Sequence, residues 1–274
     1  MGAHSPIIVR LQGHIAVVII NRPDKLNSMN QDHYNQLGES HRRLDRTADI
    51  TITVLTGKGR FFSAGSDVSS TFRNRPHDTD IRRVMSSTYF SNLDLTHTLS
   101  NFSKILVVAL NGPVVGFPAA LIAQADFIYA APHTFLHTPF SSLGVPAEGA
   151  ASRSFVRRLG VSKANDSLVM SRRISCEDLV ASGFVNEMIS APTGKPEDSV
   201  GFLERIPDEV QERFIPITTQ SSLLSIKNLI REPESRVDSR QNYDEVFAGL
   251  EMVTTGVAEQ QMQEIKEGRK RHKL

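Results

Sequence analysis

Cysteine is nearly absent: Cys176 is the only one in 274 residues. A disulfide framework or a multi-cysteine zinc site is therefore impossible within one chain. The lone thiol falls in Ile174-Ser175-Cys176-Glu177-Asp178-Leu179, which reads as a helix start with Cys176 as a small filler side chain. Net charge is also lacking, since 31 Lys and Arg against 30 Asp and Glu leave +1. Neither nucleic acid nor a membrane surface is expected as a partner on that balance. No apolar run approaches the ~20 residues needed to span a bilayer. Met1 to Pro6 carry neither the charged nor the apolar segment of a secretory signal, so an intracellular protein is expected.

What is present is an alternation of strand and helix signals. Ile7 to Leu11 and Ile15 to Ile20 are β-branched runs split by Gly13, the pattern of a hairpin. An amphipathic stretch follows from about Asn30 to Asp45, then a strand over Ile50 to Thr56. Helical periodicity runs from Asp80 to Ser103, with a buried strand at Ile105 to Leu110 and a short helix over Phe117 to Gln124. Strands are expected around Phe127 to Tyr129 and Thr134 to Leu136, and helices over Ala147 to Leu159 and Ser162 to Met170. The loop-forming cluster Ser190 to Pro196 marks a boundary near residue 195, beyond which the pattern is helical. Repeated strand-then-helix units imply an α/β core with covered sheets.

Three segments carry chemistry. Gly59-Arg60-Phe61-Phe62-Ser63-Ala64-Gly65-Ser66-Asp67 follows a strand, and its small residues let main-chain N–H groups approach an anion. Asn111-Gly112-Pro113-Val114-Val115-Gly116-Phe117-Pro118 ends a strand and opens a helix, which places the Phe117 N–H at a helix N-terminus. Thr138 to Ala151 contains Glu148, a carboxylate among small and apolar residues at an expected helix start. Burial there would lift its pKa toward the range useful to a general base. Taken singly, each segment equally fits an ordinary turn, a strand-to-helix connection or a helix-stabilising acid. His133 and His137 are four apart, but they fall in a strand and its loop and read as structural, so no metal site is expected.

Together, in this order and spacing, the three segments resemble the crotonase (enoyl-CoA hydratase/isomerase) superfamily from about Ile7 to Ile189. The resemblance implies an α/β fold of the crotonase type, a spiral of ββα units over residues 1–195. It also implies a helical region over 196–274 that drives assembly into homotrimers or hexamers. The backbone N–H groups of Ser66 and Phe117 become the oxyanion hole. Lys25, Leu26, Ala64, Gly65, Asp67, Gly116 and Phe140 become contacts of an acyl-CoA thioester, with Lys25-Leu26-Asn27 lying along the nucleotide.

Two glutamates serve water addition in typical hydratases of the family, and the matching positions here are Ala120 and Phe140. The pattern Leu143-Gly144-x-x-x-Glu148-Gly149 instead resembles fungal peroxisomal Δ3,Δ2-enoyl-CoA isomerases, in which that glutamate is the catalytic base. The expected reaction converts a 3-enoyl-CoA to the 2-trans-enoyl-CoA in fatty acid β-oxidation, with no cofactor beyond the coenzyme A that the substrate carries. Another acyl-CoA enzyme of the same fold, either a hydratase or a biosynthetic isomerase, and a non-catalytic scaffold are the alternatives. The final His272-Lys273-Leu274, preceded by basic residues, resembles a peroxisomal targeting tripeptide and implies the import receptor as a partner and the peroxisome as location.

Overall fold

The computed structural model describes residues 5–67, 81–193, 198–214, 219–253 and 255–269. The first half contains β1 (Ile7–Gln12), β2 (Ile15–Ile20), α1 (Gln31–Asp45), β3 (Ile52–Gly57), α2 (Ile81–Val84), a π-helical turn (Met85–Tyr89) and α3 (Phe90–Ser100). Then come β4 (Ile105–Leu110), β5 (Val114–Val115), α4 (Phe117–Ile122), β6 (Phe127–Ala130), β7 (Phe135–His137) and α5 (Phe140–Leu143). The chain continues through α6 (Ala151–Leu168), β8 (Ile174–Ser175), α7 (Cys176–Ala181) and β9 (Glu187–Met188). It closes with α8 (Ser199–Phe214), α9 (Gln220–Val253) and α10 (Val257–Lys266).

Six strands form one sheet in the order β1-β2-β3-β4-β6-β9. Only the β1–β2 hairpin is antiparallel; the other pairs are parallel. A small sheet, β5-β7-β8, lies apart from it. The unbroken apolar runs of β2 and β4 have a direct cause, because side chains alternate across a strand and both faces are covered. Ala16, Val18, Ile20, Leu106, Val108 and Leu110 enter one core with Tyr34 and Leu37 of α1, Leu95 and Leu99 of α3, and Phe155 of α6. Ile15, Val17, Ile19, Ile105, Val107 and Ala109 enter the other, against Phe202, Ile206, Val210 and Phe214 of α8. The four-residue spacing of those α8 side chains is one helical stripe laid on the sheet.

Helix α9 starts against the second core, where Leu223 and Leu224 pack, and runs on past α6 and α3. Lys227 and Arg231 meet Asp126 at 2.8 and 3.1 Å, and Glu234 and Asp238 meet Arg153 and Arg157 of α6. Val246 and Leu250 pack on Val84 and Tyr89.

One expected helix start differs from that observed. The helix expected from Ala147 begins at Ala151, because Gly149 (φ 70°) and Ala150 (φ 59°) are left-handed and cannot belong to a right-handed helix. The two helices expected on either side of Gly160 are both present, because Gly160, at φ 75° and ψ 160°, is not helical and breaks the span. Asp80, at the start of one expected helix, and the tripeptide His272-Lys273-Leu274 lie outside the described residues.

Candidate active site

Parallel strands β3 and β4 end side by side, and their following loops run together, the usual place for a ligand crevice in an α/β sheet. Two fully buried asparagines stitch the loops. Asn111 Oδ1 accepts from the Gly57 N–H at 3.0 Å, and its Nδ2 donates to the Gly59 and Phe61 carbonyls. Asn27 Nδ2 donates to Lys58 O at 2.9 Å and Phe61 O at 2.7 Å, while its own carbonyl accepts from Ser63 Oγ. Bonds from Phe62 N to Pro113 O and from Val115 N to Ser63 O then set the two loops in register.

The register brings two glycines face to face. Gly65 has φ +99° and Gly116 φ +68°, both in the region that favours glycine. A Cβ on Gly65 would lie 3.2 Å from the Val115 carbonyl oxygen, so the backbones approach as closely as side chains would permit. Among the described residues, neither the Ser66 N–H nor the Phe117 N–H meets an acceptor. Phe117 is the first residue of α4, so the helix dipole reinforces its donor.

Tyr34 ties the two donors to α1. Its hydroxyl lies 3.2 Å from Ser66 Oγ, and the Phe117 ring meets its ring edge-on at a 5.1 Å centroid separation. Burial pushes the Tyr34 hydroxyl well above the usual phenol range, so it stays un-ionised.

Glu148 sits in the loop between α5 and α6, half-buried as a residue with its carboxyl enclosed by protein. Burial lifts its pKa to about 7; a hydrogen bond from Asn92 opposes the rise and the charge of Glu245 adds to it. Asn92 Nδ2 donates to Oε2 at 2.8 Å, and among the described residues Oε1 accepts from nothing. The following turn rests on the start of α4. A Cβ on Gly149 would fall 2.9 Å from the Ala120 Cβ and 3.2 Å from the Phe117 ring. Glu148 and the Phe117 donor are therefore built on touching segments.

The remaining expected contacts fall around these loops. Leu26 accepts the Ala64 N–H at 2.9 Å, and Asp67 pairs with Arg22 at 3.5 Å. Lys25 is exposed beside them, with no side-chain partner among the described residues. Phe140 is buried in the core at the start of α5. Cys176 is buried against the Ala131 carbonyl, and burial pushes its thiol up to about 11, which keeps it protonated. His137 contributes its carbonyl to Gly116, and the described residues contain no group of three or more His, Cys, Asp or Glu placed to hold a metal ion.

Sequence reading missed Tyr34, Asn92 and Glu245. The available signal was a polar group on an apolar helical face: Tyr34 with Leu37 and Leu44, Asn92 with Leu95 and Leu99. A buried polar tip must find a partner, but the spacing does not say which.

Comparison with known proteins agrees with this geometry. The family model described as enoyl-CoA hydratase/isomerase matches residues 10–206. A Pyricularia oryzae protein named Delta(3,5)-Delta(2,4)-dienoyl-CoA isomerase is 46% identical over 97% of this chain and 98% of its own length. The Saccharomyces cerevisiae 3,2-trans-enoyl-CoA isomerase is 26% identical over 98% of this chain and 96% of its own. A crystal structure of an enoyl-CoA hydratase/isomerase from Pseudoalteromonas atlantica superposes with a TM-score of 0.82 at 22% identity, covering 98% of this chain and 100% of that one. The fold is thus the expected crotonase type, and the chain belongs to the enoyl-CoA hydratase/isomerase (crotonase) family.

Proposed function

We propose that this protein moves a carbon–carbon double bond along an acyl-CoA thioester, with Glu148 as the single proton-carrying base. The observation that carries the reading is one buried, high-pKa carboxylate beside two unpaired N–H groups, those of Ser66 and Phe117, with the turn after Glu148 packed on the Phe117 segment. The Ser66 and Phe117 amides hold the thioester oxygen. Ionised Glu148 removes a proton from C2, and the electron pair delocalises into a dienolate whose negative charge rests on that oxygen. The same proton then passes from Glu148 to C4, the C2–C3 double bond forms and the carbonyl is restored. Each backbone donor of this kind supplies about 3 kcal/mol in enzymes where one has been removed. Asn92 holds Oε2 and leaves Oε1 to carry the proton. A pKa of about 7 lets the group accept and release it at neutral pH.

The finer reading is a Δ3,Δ2-enoyl-CoA isomerase. Ala120 and Phe140 bring no carboxylate to the places where hydratases of the family carry theirs. The name of the 46% identical relative favours a second substrate class, 3,5-dienoyl-CoA, whose proton returns at C6. One carboxylate has to cross a single intervening carbon to serve C2 and C4, but three to serve C2 and C6. The single-base site fits the shorter transfer.

Three assays test the reading: 3-hexenoyl-CoA isomerisation, 3,5-dienoyl-CoA isomerisation and crotonyl-CoA hydration. The expected ranking has the 3-enoyl substrate turned over fastest, and Glu148→Gln inactive on it. Faster turnover of the 3,5-dienoyl substrate would replace the finer reading, and hydration as the main activity would overturn both.

Assembly as a homotrimer or hexamer belongs to the same proposal, supported by the exposed Ile226, Leu229, Ile230 and Phe247 on α9. So does peroxisomal import through His272-Lys273-Leu274, which a fluorescent fusion with and without that tripeptide would test.

A further inference from the structure

We infer that Glu245 is a positioning residue for the catalytic turn: from α9 it closes the open amino end of α6 and holds Gly149–Ala150 in the conformation that aims Glu148. This rests on the reading of Glu148 as the base.

The first turn of a helix leaves N–H groups without intrahelical acceptors, and a side chain at the N-cap ordinarily supplies one. At α6 the N-cap is Ala150, which has nothing to offer. Glu245, far along the chain, takes the role. Its Oε2 accepts from the Ala150 N–H at 2.7 Å, and its Oε1 accepts from the Ser152 N–H at 2.8 Å and from the Ser152 hydroxyl. All three groups donate, so the arrangement suits the ionised carboxylate. No ion pair neutralises it among the described residues, and the positive end of α6 is what faces it.

The turn needs such a clamp. Gly149 and Ala150 follow Glu148 directly, and both have positive φ, at 70° and 59°. Left-handed backbone at an alanine costs about 1–2 kcal/mol and persists only where surrounding contacts fix it. Gln124 secures one side of the turn by donating to the Gly149 carbonyl at 3.3 Å, and Glu245 secures the other.

Glu245 also acts through charge. The groups facing Glu148 are Tyr34 of α1, Tyr89 of the π turn, Asn92 of α3 and Glu245 of α9. Both tyrosines are kept un-ionised by burial. Burial raises the pKa of Glu245 itself and Asp238 adds to the rise, while the hydrogen bonds from Ser152 and Ala150 oppose it and favour the charged form; Arg153 and Arg157 of α6 are engaged by Glu234 and Asp238. Glu245 is therefore the anion that raises the proton affinity of Glu148.

The test is the pH dependence of kcat and KM for 3-enoyl-CoA isomerisation in Glu245→Gln, Glu245→Asp and Glu148→Gln. Glu245→Gln keeps the size and removes the charge. It should lower kcat about ten- to a hundredfold with KM nearly unchanged, as expected when a reacting group is misaimed. Its acid limb should move to lower pH by about half a unit or more, since a neighbouring anion no longer opposes ionisation of the base. Glu245→Asp keeps the charge and shortens the reach, so it should lose kcat while its acid limb stays in place; it carries the test if the glutamine variant does not fold. Parental kcat and pH profile in either variant would overturn the proposal. The two readings fail separately. Activity retained in Glu148→Gln removes the base assignment, whereas an inactive Glu148→Gln beside a parental Glu245→Gln removes only the role of Glu245.

Discussion

The two halves of the candidate site are built differently. The half proposed to hold the anion is backbone: two loops at neighbouring strand ends, two positive-φ glycines, and the N–H groups of Ser66 and Phe117. The proton-carrying half is side chain, and it draws Asn92 from α3, Glu148 from the α5–α6 loop and Glu245 from α9. The first half depends on local geometry and tolerates changes of side chain. The second depends on distant elements docking correctly, so it should respond to pH and to mutations remote in sequence.

Glu148→Gln should break the second half completely. Loss of general base catalysis lowers kcat on 3-hexenoyl-CoA by about a hundredfold to ten-thousandfold, while acyl-CoA binding measured by calorimetry persists. Gly65→Ala should strike the first half nearly as hard. The added Cβ lies 3.2 Å from the Val115 carbonyl at a φ of +99°, so the Ser66 donor is displaced. Losing one such donor lowers kcat about a hundred- to a thousandfold. Its pH profile should stay parental, which separates the two halves in one measurement.

Asn92→Ala is a milder lesion of the proton-carrying half. The Asn92 hydrogen bond favours the ionised carboxylate and lowers its pKa, so removing it shifts the acid limb to higher pH and reduces turnover at pH 7. An acid limb that stays put would detach Asn92 from the base.

The smallest effect is on stability. Glu148 is lifted from 4.5 to about 7 in the folded state, so the native protein holds a proton there that the unfolded chain has released. Stability from this group is present below pH 4.5 and falls as pH rises toward 7. Glu148→Gln, neutral throughout, should therefore gain up to about 3 kcal/mol over the parent at pH 8 and little at pH 4, measured by urea unfolding.

The contrast between the halves also explains what could be read from the sequence. The β1–β2 hairpin, β4 and the start of α4 at Phe117-Pro118 were legible because β-branched runs, glycines and prolines state local geometry. The glycines of the Ser66 and Phe117 loops marked tight turns, but those turns alone fitted an ordinary connection equally well, and only the resemblance singled out their N–H groups. Glu148 could be named, but its placement on the first turn of a helix was wrong, since Ala150 carries a positive φ that an alanine does not announce. Asn92 and Glu245 were silent, because a hydrogen bond spanning 56 or 95 positions leaves no periodic trace.

The contact between Ala120 and the Gly149 turn joins two parts of the site. A methyl group at 120 already meets the place where a Cβ on Gly149 would sit, at 2.9 Å. Ala120 thus lies against the backbone turn that follows Glu148, and the absent Cβ of Gly149 is what leaves room for its methyl group. Any residue larger than glycine at 149 would press on Ala120 and the Phe117 ring together, so a change at position 149 or 120 is felt at both the Glu148 turn and the start of α4.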